Sequence, residues 1–292
     1  MILGIIFVLA STVLWSGSFI LRKRGLEEID YKVFIIIRLL AGLLLTGLLL
    51  WSVGPGLAGL SFFMTVPFIV TGVIGNVFAL ITNTMAIHEI GASRTHALTS
   101  ASPLVTAILG SAFLGEDLTR YLLLGLALII IGGATLSYRL HGGESSQGSK
   151  RPVFGFGLAL YSTLAIGTFA VLQKYGLDLG VSPLQGLFIR FLTAAVLYGI
   201  YLLFTRPELD LMSSYRSGNY LWASILMTAA ALLSLLALAR LPATLVEGLK
   251  RTAPLVTVAL SSLMLRGIEK VDWKTFAIAG VIVAGAVLAI IG

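Results

Sequence analysis

Ten long apolar runs, at residues 2–21, 33–53, 66–87, 95–114, 121–138, 153–173, 184–204, 219–239, 243–264 and 273–291, constrain this chain more than any other feature. A helix rises about 1.5 Å per residue, so about 20 apolar residues cross the roughly 30 Å hydrocarbon layer of a bilayer. The runs are continuous, without the narrow stripe of an amphipathic soluble helix. Of the 292 residues 58% are apolar and 11% charged, against roughly 25% charged in soluble domains. Such a chain cannot clothe a soluble surface. Backbone groups in lipid must be satisfied internally, and no alternation of the kind found in barrel strands dominates, so the spans are helices. The first run has no basic residue before it and leads into nine others, unlike a cleaved secretion signal. The expected fold is an all-α integral membrane protein with ten transmembrane helices, whose first partner is the lipid bilayer.

Several chemistries are absent from the residue patterns. The chain has no Cys, hence no disulfide framework and no thiolate nucleophile. His88, His96 and His141 lack metal-ligand spacing, and there is neither a phosphate-cradling loop nor a nucleophile elbow. No catalytic residue, metal or cofactor is therefore expected. The net charge of +7 gathers in loops beside span ends rather than on a nucleic-acid-binding face. An integral-membrane enzyme or a channel using a polar cavity stands as the alternative to a carrier.

Ten crossings put both termini on one side. Loops on that side carry three basic residues, Arg120, Lys174 and Arg240, whereas the opposite side carries thirteen, among them Arg22, Lys23, Arg24, Arg139 and Arg151. The positive-inside rule then places the 139–152 linker in the cytoplasm and both termini outside.

A repeat underlies the ten runs. The twelve residues from Pro103 match those from Pro254 at seven positions, at an offset of 151, beginning with the shared run Pro-Leu-Val-Thr. Gly17 and Phe19 match Gly167 and Phe169, Lys23 and Gly25 match Lys174 and Gly176, and Arg38 matches Arg190, at offsets of 150 to 152. Five spans per repeat is an odd number, so the second repeat has inverted topology, a layout suited to alternating access. The polar stretch 139–152, rich in Gly and Ser, divides a first five-helix repeat, 1–138, from a second, 153–292. Gly125, Gly132 and Gly133 are read as helix-packing positions. Pro103 and Pro254 each remove a helical hydrogen bond, either opening polar backbone to a cavity or serving only as fixed kinks.

Charged residues inside spans point to a site, because Arg, Lys or Asp at a helix centre costs roughly 2.5–3.5 kcal/mol on insertion scales. Glu247, Lys250 and Arg251 share one face of the ninth span, with the carboxylate able to neutralise either base. The offset of 151 makes His96, Thr99 and Ser100 the equivalent positions of the fourth span, and inverted symmetry offers a way to bring the two faces toward a shared cavity. A patch of net charge +1 facing polar groups favours an anionic or zwitterionic small molecule, unless the cluster is a structural ion pair. Asn76 and Asn83, and likewise Tyr161 and Thr168, are seven apart and either line a cavity or bond between helices. Trp15 either lines the pathway or fills the bundle. Arg38 and Arg190 are candidates for a gate or counter-charge, and Glu89 and His96 for proton handling, with snorkelling as the plain reading of the two arginines.

The order of these features resembles the ten-helix branch of the drug/metabolite transporter superfamily built from two EamA domains. The resemblance rests on Trp15-Ser16-Gly17-Ser18-Phe19 followed by Lys23, on Arg38, and on Ser102-Pro103-Leu104 and Ala253-Pro254-Leu255, with Glu116 shortly after the first. It covers roughly 2–138 and 153–291. The second half departs from the pattern at Ala165-Ile166-Gly167, where a Trp-containing motif is usual, and at Gly267, the counterpart of Glu116. The resemblance implies a secondary transporter, of a family many of whose members export amino acids, other metabolites or toxic compounds; the expected setting is the plasma membrane (the inner membrane of a cell with two) and the expected working state a monomer. It also implies cytoplasmic termini, opposite to the orientation given by the loop charges.

Overall fold

A computed structural model of the chain describes the backbone of residues 1–25, 31–53, 56–90, 92–141, 152–205, 218–264 and 273–291. The Gly- and Ser-rich stretch at 142–151 and Gly267 lie outside the described residues. Every regular element is helical: α1 (Ile2–Gly25), α2 (Tyr31–Ser52), α3 (Phe62–Val73), a π-helical turn (Ile74–Phe78), α4 (Ala79–Ile90), α5 (Ala92–Thr99), α6 (Ser102–Leu114), α7 (Arg120–His141), α8 (Pro152–Asp178), α9 (Pro183–Thr205), α10 (Gly218–Leu238), α11 (Ala243–Lys250), α12 (Ala253–Met264) and α13 (Trp273–Ile291). They fall on the ten apolar runs, each within a few residues of the expected ends. Among the described residues six segments, Arg94–Leu114 included, are by length and composition able to cross a membrane.

Three spans are interrupted among the described residues. The third passes from α3 through the π-helical turn into α4, and the fourth and ninth break into α5/α6 and α11/α12. Pro explains the two breaks. Lacking an N–H, Pro103 and Pro254 cannot continue a helix from the preceding turn, but each fits the first turn of a new one. The chain tightens before both. Ala101 N–H donates to Leu98 O at 3.0 Å and Leu104 N–H to Ala101 O at 3.0 Å; Thr252 N–H donates to Leu249 O and Leu255 N–H to Thr252 O, both at 3.0 Å. These bonds correspond one to one at the offset of the sequence repeat.

Packing forms two compact units, each drawing on both sequence halves. The first comprises Met1–Val73 and Tyr175–Arg240, the second Ile74–Lys174 and Leu241–Gly292. In the first unit α1 lies along α10, tied by Ser11 Oγ donating to Ala230 O at 2.7 Å. There α2 meets α10 through Val33, Phe34, Tyr220 and Met227, with the Phe34 and Tyr220 rings 5.2 Å apart. In the second unit Ile129 and Leu136 of α7 bury with Ile282 of α13, and Leu255 of α12 packs on them. A smaller core of Ala86, Ile90 and Ala159 joins α4 to α8. Helices in lipid gain little from excluding water from one another, so such close contact comes mainly from van der Waals fit.

Candidate functional site

The second unit brings the charged face of the ninth span to the break in the fourth. Eight residues of α11 advance about 12 Å, and Lys250 and Arg251 stand at the far end of that length from its N-terminus. Glu247 is 1% exposed, while the side chains of Lys250 and Arg251 are 33% and 21% exposed. The carboxylate is thus buried, while the two bases are only partly covered. Lys250 Nζ donates to Glu247 Oε2 at 2.9 Å, and an Arg251 Nη donates to Glu247 Oε1. The same Nη donates to Ser102 Oγ at 2.6 Å, and Ser102 in turn donates to Glu247 Oε1 at 3.3 Å. Both carboxylate oxygens are thus engaged. One negative and two positive side chains leave the cluster one net positive charge.

Arg251 Nε is buried and has no hydrogen-bond partner among the described residues. A buried donor without an acceptor costs roughly 1–3 kcal/mol, more when charged, so this atom has unused capacity for an incoming acceptor. The basic residues also sit in the last turn of α11, where its dipole is negative, and α12 begins just beyond them with its positive end at the same break.

Ser102 carries no local signal of a site role in the sequence, although it stands in the Ser-Pro-Leu segment that carries the family resemblance. Its surroundings are polar too. Thr106 Oγ1 donates to Ser102 O and Gly167 O, both at 3.2 Å, so α6 is fastened to α8 beside the break. Ser102→Ala should leave the Glu247–Arg251 pair in place but remove its bridge. Uptake efficiency is expected to fall about fivefold at unchanged protein abundance, the factor given by one net hydrogen bond of about 1 kcal/mol.

The other candidates are distributed more widely. Thr99 and Ser100 are buried, but their hydroxyls donate back to His96 O at 3.2 and 2.7 Å. Ser100 nevertheless comes near the cluster. A Cβ on Gly133 of α7 would lie 3.6 Å from Ser100 Oγ and 4.0 Å from Arg251 O, so one glycine borders both breaks. His96 is half-buried on α5. Asn83 is half-buried on α4, with Oδ1 lacking a partner among the described residues. Asn76 falls in the π-helical turn, and its side chain lies outside the described residues. Tyr161 is exposed on α8, whereas its neighbour Ser162 is buried and bonds Thr82 at 2.9 Å. Glu89 is half-buried where α4 approaches Gly155.

Trp15, Arg38 and Arg190 belong to the first unit. Trp15 is exposed on α1, Arg38 is half-buried, and Arg190 is buried with its guanidinium 5.4 Å from the Phe191 ring centre and within Coulomb range of Arg38.

A multi-pass helical membrane protein with two broken spans, and with a charged cluster around a buried carboxylate at their breaks, has the layout of a secondary carrier. The chain belongs to the EamA-like transporter family, whose model matches residues 2–138 and 153–291, within the drug/metabolite transporter superfamily. It is a transporter, not an enzyme, and moves a small molecule across a membrane. A solved structure described only as "Crystal structure of protein" is similar, with a TM-score of 0.79 at 15% identity over 99% of this chain and 97% of its own. At that identity the likeness speaks for the fold alone. No curated protein matches this chain.

Proposed function

We propose that this transporter exports a small zwitterionic or anionic metabolite, of the amino-acid type, across the plasma membrane by alternating access, as a monomer, and that Arg251 and Lys250 hold the anionic group. The buried Nε of Arg251, without a partner among the described residues, carries this reading. An incoming carboxylate supplies the missing acceptor, and the net positive charge of the cluster favours its approach. Glu247 keeps both bases from repelling each other and limits the excess to a single charge. A solute with one carboxylate is therefore favoured over a cation. Ser100 and Asn83 are further candidates for its polar contacts, while Arg38, Arg190, Glu89 and His96 are kept as candidates for gating or proton handling.

Purified protein in sealed vesicles tests this directly. Saturable flux of radiolabelled L-serine, L-leucine or L-glutamate is expected, with no chemical conversion, and the matching amines lacking a carboxylate should neither move nor compete. Flux of the amines at the same rate would reject carboxylate recognition. Repeating the assay with and without a proton gradient separates coupled transport from facilitated diffusion.

A further inference from the structure

α11 has a weakness that its own sequence does not repair. It is eight residues long, Pro242 at its N-cap supplies no side-chain bond, and its first turn contains no acidic residue. So short a helix has little intrinsic stability, and its first N–H groups need acceptors. Glu116, on the segment after α6, supplies them. Its carboxylate accepts from Ala243 N–H, from Thr244 N–H at 3.1 Å and from Thr244 Oγ1 at 2.7 Å. A negative group at a helix N-terminus also opposes the dipole there.

The position of Glu116 is itself built. α6 ends at Gly115, in the left-handed conformation with φ 65°, and Glu116 N–H returns to Gly110 O at 3.2 Å, as at a glycine-terminated helix end. Gly110 also makes room. A Cβ there would lie 2.9 Å from Glu116 Oε2 and 3.3 Å from Thr244 Oγ1. Thus α6 holds α11 at both ends, through Glu116 at Thr244 and through Ser102 at Glu247 and Arg251. The sequence repeat lacks a counterpart, since the offset of 151 pairs Glu116 with Gly267 and Gly110 with Ser261.

We propose that Glu116 is a positioning residue for the substrate site: by clamping the N-terminus of α11 to the end of α6, it sets the orientation in which Lys250 and Arg251 are presented. The clamp stands on geometry alone, and its service to transport rests on the function proposed above. From Ala243 to Lys250 the helix advances about 10 Å, so a small tilt at the clamped end displaces the basic heads.

Two measurements on the full-length protein test it. The first needs no substrate: the rate at which an amine-reactive reagent labels Lys250, read by peptide mass spectrometry against Lys174 as an internal reference. Glu116→Gln is expected to raise that ratio at least about threefold, Thr244→Val to raise it less, and Glu116→Asp to restore most of the wild-type value, in line with the strength of hydrogen bonds to a charged acceptor. General unfolding would raise both lysines together. The second is amino-acid flux in vesicles, where Glu116→Gln should raise KM about tenfold at a nearly unchanged Vmax, equivalent to 1.4 kcal/mol. An unchanged Lys250 ratio in both Glu116→Gln and Thr244→Val overturns the clamp, and Thr244→Val decides the matter if Glu116→Gln does not fold. A changed ratio with an unchanged KM overturns its service to the site. Normal flux in variants of Lys250 and Arg251 would instead overturn the function proposed for those residues and leave the labelling result standing.

Discussion

Arg251→Gln is expected to lower transport efficiency about a hundredfold, or about 2.7 kcal/mol in transition-state terms. Arg251 is the residue that binds both Glu247 and Ser102 while keeping a buried donor in reserve. Lys250→Gln should cost less, about tenfold, because its ammonium makes one bond to Glu247 and is more exposed. A loss of activity alone does not separate a substrate anchor from a structural ion pair. Removing one partner of a buried pair destabilises a protein by roughly 3–5 kcal/mol, since the other charge is left uncompensated.

The double variant Glu247→Gln/Arg251→Gln distinguishes the two. It replaces charge by amide on both sides, so the stranded carboxylate is gone and abundance in the membrane should recover toward wild type. If Arg251 binds the solute, transport stays low. If the pair is only structural, transport recovers along with abundance, and the substrate role assigned to Arg251 is lost. Normal flux in Lys250→Gln, Arg251→Gln and their double combination would have the same meaning.

The spans were legible because lipid permits so few alternatives: a segment must be apolar, about 20 residues long and internally bonded. Paired kinks were legible as well, because Pro103 and Pro254 carry the same physical restriction at matching places; that the helices end and restart there was not. Glu247, Lys250 and Arg251 could be grouped from their spacing, since a helix turn puts them on one face whatever surrounds it. The partners that complete the cluster were a different matter. Ser102 lies 145 residues from Glu247, and Glu116 lies 128 from Thr244. Only folding brings them together, and a Ser before Pro reads locally as a helix start.

The repeat offset also had a limited reach. It carries over to the backbone, where the short bonds before Pro103 and Pro254 correspond residue for residue. It does not carry over to the side chains. Thr99 and Ser100 turn their hydroxyls onto His96 O, and the residue bonded to Arg251 is Ser102, whose own counterpart is Ala253. Inverted halves share backbone geometry, while the pairing of polar groups depends on which helix each break faces. The π-helical turn at Ile74–Phe78 had no sequence signal, since no residue type marks where a helix admits an extra residue.

Gly125→Val is expected to lower the apparent Tm of the detergent-solubilised protein by roughly 5–10 °C, the scale of about 3 kcal/mol of overpacking. At this crossing α7 and α13 touch backbone to backbone. A Cβ on Gly125 would lie 2.5 Å from Gly285 O and 2.6 Å from Ala289 N, and a Cβ on Gly285 would lie 2.7 Å from Gly125 O. Backbone atoms cannot swing aside as a flexible side chain does, so the helices must part. Parting them loosens the core formed by Ile129, Leu136 and Ile282, on which Leu255 of α12 rests just beyond the break at Arg251. The effect should therefore reach the site, through Gly133 on the same helix, as reduced flux per folded molecule. Gly280→Ala on α13 is the control: nothing lies within 4 Å of a Cβ there, and Ala favours helix by up to about 1 kcal/mol over Gly. A wild-type Tm in Gly125→Val would mean that α7 and α13 separate at no cost, and that the close approach of these two backbones does not support the site.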